Sequence, residues 1–149
     1  MRSLILAALM VCVLAAQAQY TGIGIVGDSA DVNTPTRYGA VLMGGNTDVD
    51  EAFRWMIDRS GGGDFVIIRA GGSTGYNQYV YDFGGVNSVE TLLINSRDKA
   101  NLKTTGDRIR QAEALFIAGG DQGNYVNFWA DTEVSRALDY LIHVKMVPV

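Results

Sequence analysis

The sequence predicts an α/β fold: a doubly wound, mainly parallel sheet with helices on both faces. Three observations carry that expectation. Val41-Leu42-Met43-Gly44-Gly45-Asn46, Ile67-Ile68-Arg69-Ala70-Gly71-Gly72-Ser73 and Phe116-Ile117-Ala118-Gly119-Gly120-Asp121-Gln122 are each an apolar β-type run that ends in Gly-Gly and then a polar residue. Repeated strand ends of this kind gather loops on one sheet edge, the edge where open α/β sheets bind ligands. Between the runs lie stretches with helical spacing, long enough for right-handed crossovers. Finally, the run from Asp64 to Ala70 is almost wholly apolar inside, as a strand covered on both faces must be.

The elements follow in order. Tyr20 to Thr36, rich in Gly, Asp and Thr, precedes or edges the sheet. Gly39 to Met43 reads as the first buried strand. Asn46 or Thr47 then caps a helix with Asp48, Asp50 and Glu51 in its first turn. Val49, Ala52, Phe53, Met56 and Ile57 make its apolar face. Arg59 falls in its last turn, and Ser60-Gly61-Gly62-Gly63 stops it. Asp64 to Ala70 is the second strand. Tyr76 to Phe83 is a short helix ended by Gly84-Gly85, and Val89 to Ile94 is the third strand. Thr104-Thr105-Gly106-Asp107 reads as a capping box opening a helix through Ala112. Ala114 to Ala118 is the fourth strand. Gln122 to Trp129 carries aromatic residues over one or two helical turns. A helix from about Thr132 follows, with Val134, Ala137, Leu138, Leu141 and Ile142 on its apolar face. Lys145 to Val149 is the fifth strand.

Residues 1–18 read as a secretory signal peptide. Arg2 is the positive n-region, Leu4 to Ala16 the apolar h-region, and Ala16-Gln17-Ala18 a small-x-small cleavage site. The run is shorter than the ~20 residues a membrane-spanning helix needs. The expected product is a secreted domain over 19–149, with no membrane association once the leader is cut. Cys12 is the single cysteine and lies in the leader, so no disulfide is available. The formal charge of the whole chain is -4. An acidic balance argues against nucleic acid or anionic membranes as partners.

The glycine-rich strand ends are the candidate site. Glycines there let the backbone approach a ligand and present N–H groups to it. Gly119, Gly120, Asp121 and Gln122 form the leading segment, joined by Gly44 and Gly45. A tight turn with Asp121 as helix cap is the plainer alternative for the first of these. Asp48, Asp50 and Glu51 complement a helix dipole more readily than they bind a metal, and no metal or cofactor is expected. Gly22-Ile23-Gly24-Ile25-Val26-Gly27 has dinucleotide-fingerprint spacing but lacks the strand before and the helix after it that the motif requires. His143, the only histidine, suits the end of a helix and has no evident nucleophile partner.

Ala118-Gly119-Gly120-Asp121-Gln122, followed by Tyr125, Trp129, Thr132 and the helix leading to Val147-Pro148-Val149, resembles the cyanophycinase-like serine peptidases (the S51 type). Met43-Gly44-Gly45 with its acidic helix fits that family's opening strand. The resemblance implies a scaffold similar to class I glutamine amidotransferases, flavodoxin-like in outline. It also implies a peptide-like substrate, acidic or acid-linked. In the family, the strand matching Lys145–Val149 runs into an elbow that carries the nucleophilic serine, and a histidine base lies further downstream. This sequence stops before both, so no catalytic residue is assigned to it. Gly119 and Gly120 would match the loop facing the nucleophile, where N–H groups help hold an oxyanion, and Asp121 and Gln122 would match polar residues near the substrate. The expectation is the N-terminal part of a secreted peptidase, itself inactive. The alternative is a non-catalytic ligand-binding or structural protein.

Overall fold

A computed structural model describes residues 20–149. The signal-peptide reading therefore lies outside the described residues. The chain forms β1 (Gly22–Gly27), α1 (Asp50–Arg59), β2 (Asp64–Arg69), α2 (Gly75–Tyr81) and β3 (Ser88–Leu93). It continues through α3 (Arg97–Ala100), α4 (Lys103–Gln111), β4 (Ala114–Ile117), α5 (Gln122–Trp129) and α6 (Glu133–Tyr140), which ends in a π-helical turn (Leu141–Lys145).

The four strands make one open, mixed sheet in the order β1-β3-β2-β4. β3, β2 and β4 are parallel, and β1 closes one edge antiparallel to β3. The glycine-rich segment after Tyr20 thus edges the sheet. Within it, Gly22 to Gly27 is strand and not a nucleotide loop, because its backbone is spent on the ladder with β3.

Side-chain alternation along β2 divides the core in two. Val66 and Ile68 join Leu92, Ile109, Leu115, Trp129 and Leu141 in a cluster with α4, α5 and α6. Phe65 and Ile67 join Phe53, Met56, Ile57, Val80 and Val89 in a second cluster with α1 and α2. Consecutive strand residues point to opposite sides, so helices cover both faces of the sheet. This is why the interior of β2 had to be apolar throughout.

The expected first and fifth strands are present only as a single parallel bridge, Gly39 to Pro148. The Leu115 N–H donates to the Pro148 carbonyl at 3.0 Å, the Val149 N–H to Gly39 at 2.9 Å and the Val41 N–H to Val149 at 2.8 Å. The last residues therefore lie between β4 and the Gly39–Val41 segment. Lys145 belongs to the π turn, and Met146 takes a left-handed φ of 61°. The extended pairing cannot begin before Val147.

Two helix starts differ from expectation. α1 is capped by Val49, whose carbonyl accepts the Ala52 N–H, and not by Asn46 or Thr47. α4 begins earlier than the Thr104 box, because the Leu102 carbonyl accepts the Gly106 N–H. The Thr105 hydroxyl is instead spent on Thr21 across 3.0 Å. A capping box does form at Thr132 and Ser135, where α6 starts.

The N-terminal ends of the parallel strands hold buried charge. Asp64 opens β2 and is fully buried. It accepts from Ser88 at 2.7 Å, Asn87 at 2.8 Å and Arg108 at 3.2 Å. Arg108 also donates to Glu90 at 2.5 Å, and Glu90 accepts from the Tyr20 hydroxyl. Glu113, fully buried just before β4, accepts from the Asp64 N–H at 2.8 Å and from Lys145 at 2.7 Å. Burial pushes the Glu113 carboxyl above its usual range, against the pull of Lys145.

Candidate functional site

The opposite end of the sheet is open. A groove of about 720 Å³ is lined by Gly44 and Gly45 from one strand-end loop and by Gly119, Gly120 and Gln122 from another. Val149 lines it as well, as expected from its place between β4 and the Gly39–Val41 segment. Five of the six residues singled out from sequence therefore converge. Among the described residues, the N–H groups of Gly44, Gly45, Gly119 and Gly120 make no backbone hydrogen bond. All four glycines are exposed. Amides left open beside a concave surface can serve a ligand's oxygen atoms.

Asp121 stands apart from the other five. It does not line the groove; it is the N-cap of α5, its carboxylate accepting the Gly123 N–H at 2.8 Å. The capping alternative wins because the helix begins at the next residue and its first amides need an acceptor.

The third Gly-Gly strand end also stays out of the groove. Arg69 folds back over its own loop, donating to the Gly71 carbonyl and, at 2.7 Å, to the Ser73 carbonyl. Gly72 sits at φ +98°, where an L side chain is strained. Arg69 then lines a smaller adjoining pocket of about 400 Å³ with Asp48, Gly75, Tyr76 and Tyr79. Asp48 and Tyr76 belong to both cavities.

Two tyrosine–carboxylate contacts join the start of α1 to α2. The Tyr76 hydroxyl lies 3.1 Å from each Asp48 carboxylate oxygen, and the Tyr79 hydroxyl donates to Asp50. The hydrogen bond to Asp50 pushes the Tyr79 phenol up to about 12. Burial, and then the bond to Asp48, raise that of Tyr76. Their rings pack edge-on against Phe53 and Phe116, so the wall is aromatic behind and polar at its rim.

The apolar lining was not singled out from sequence. Leu42, Met43, Met56, Phe116 and Ile117 all reach the groove. Met56 lay on the helix face assigned to the core, and it does belong to the core cluster as well. The available signal was that Met43 immediately precedes one glycine strand end and Ile117 lies two residues before another.

No described serine lines the groove. His143 is exposed in the π turn, 3.6 Å from Asp139 one helical turn back, and does not line the groove either. Among the described residues, no three of His, Cys, Asp and Glu come together so as to hold a metal ion, and no helix is long and apolar enough to cross a membrane. Comparison with protein-family models and with curated proteins gives no match.

Proposed function

We propose that this chain carries the substrate-binding wall of a secreted serine-type peptidase resembling the cyanophycinase-like family, with the nucleophile and its base supplied from outside residues 1–149. The observation that carries the reading is the position of Val149. It lines the groove beside the open amides of Gly44, Gly45, Gly119 and Gly120. A serine placed there would have oxyanion donors within the same cleft. The finer scaffold, doubly wound and flavodoxin-like, is part of the same proposal. It is supported by the parallel core β3-β2-β4 and by helices over both faces.

The test is fluorophosphonate labelling of the protein isolated from its native source, followed by mapping of the labelled peptide. A modified serine on a peptide continuous with Val149 is the expected result. Absence of any label sinks the peptidase reading. The second reading, a non-catalytic binding protein, is favoured by the lack of a serine among the described groove residues. In that case a saturable ligand would raise the melting temperature of an unlabelled protein.

A further inference from the structure

The chemistry of the groove lining is one-sided. Leu42, Met43, Met56, Phe116, Ile117 and Val149 supply an apolar wall. Leu42 is 97% exposed and so wholly available for contact. Methionine side chains adapt their shape to what they touch. Among the described residues, Asp48 is the only charged side chain lining the groove; no Lys, Arg or His does so. Its carboxylate is exposed and meets the Tyr76 hydroxyl, at 3.1 Å from each oxygen. Each carboxylate oxygen has a second lone pair to offer. Arg69, in the adjoining pocket, already spends Nε and Nη1 on the Gly71 and Ser73 carbonyls. The described lining therefore combines apolar surface, neutral polar groups and open backbone amides with one charged side chain, an anion.

We infer that the groove selects a short peptide that begins with an apolar residue: its side chain lies against Met43, Met56 and Phe116, and its free ammonium group on Asp48. This rests on the groove being the substrate site proposed above. It departs from the acidic or acid-linked substrate that the family resemblance implies. A carboxylate in the same place would face Asp48 and gain no cation from the lining of the groove. The open amides of Gly119 and Gly120 suit the peptide's carbonyl oxygens.

The test is a titration of the whole chain, methyl-labelled at methionine, with leucinamide, N-acetylleucinamide and N-acetylglutamate, read by NMR at Met43 and Met56. Leucinamide should shift both signals saturably and bind about tenfold more tightly than its acetylated form, the gain expected of one charge-assisted hydrogen bond. Asp48→Asn should abolish that preference, and Asp48→Glu should retain it. Equal binding of the two leucine probes by the unsubstituted chain overturns the inference, whatever the variants do. So does absence of saturable shifts, or tighter binding of N-acetylglutamate that is lost in Arg69→Gln. Failure of serine labelling would strike the peptidase reading alone, because this titration needs no nucleophile.

Discussion

The two ends of the parallel strands handle polar groups in opposite ways. At the N-terminal end, Asp64, Glu90, Arg108 and Glu113 are buried and committed to one another or to Lys145, Ser88 and Asn87. At the C-terminal end, backbone amides are left open on exposed glycines around a groove. The first end is bound to itself; the second has capacity to spare. Both ends look polar in sequence, and only the partner count separates structure from site. Burying charge is costly, so an ion cluster persists only when its hydrogen bonds are nearly complete. An open amide in water costs almost nothing to keep ready.

The largest expected effect breaks the first end. Arg108→Met would leave Asp64 and Glu90 buried without their shared cation. The loss should be about 3–5 kcal/mol, the usual cost of orphaning a buried charge, read as a fall in the urea midpoint. A loss below about 1 kcal/mol would mean that the cluster is more hydrated than its burial implies.

A glycine pair sharpens the contrast. A Cβ on Gly63 would lie 2.3 Å from Glu113 Cγ, inside the buried cluster. Gly63→Ala should cost about 1–3 kcal/mol through overpacking. A Cβ on Gly44 or Gly119 meets nothing within 4 Å. Gly44→Ala and Gly119→Ala should therefore leave the melting temperature nearly unchanged, within about 0.5 kcal/mol, while weakening leucinamide binding. Equal destabilisation at both ends would remove the distinction between a packed end and an open one.

The same contrast explains what could be read in advance. α1 and β2 were legible because their periodicity records burial directly: Phe53, Met56 and Ile57 on one helix face, Phe65 to Ile68 buried along the strand. The groove glycines were legible because an open backbone needs no partner elsewhere in the chain. Asp121 reads two ways in sequence because a cap and a ligand-binding carboxylate share one signature, and the start of α5 shows the cap. The Asp64–Arg108–Glu90 cluster was not legible at all. Its members lie on β2, α4 and β3, and no local spacing links them. β1 escaped for a related reason: Gly-Ile-Gly-Ile has little intrinsic strand preference, and it becomes a strand through its ladder with β3.

The smallest expected effect concerns a place near the groove where side-chain polar groups are pinned. Tyr79 donates to Asp50, and that bond holds the phenol at about 12, against the ordinary 10.0. The folded state therefore keeps a proton that the unfolded chain releases. The resulting stability is fully present below pH 10 and is lost as pH rises towards the folded value of about 12. Tyr79→Phe should abolish this component, so its denaturation midpoint should fall less steeply than the parent's across that window. The phenolate absorbance of the folded parent should also show one late-titrating tyrosine that the variant lacks. Tyr76, raised by burial and then by Asp48, titrates late as well and must still do so in the variant. If both tyrosines titrate normally, the contacts between the start of α1 and α2 do not hold in solution, and the rim of the groove is freer than the wall behind it.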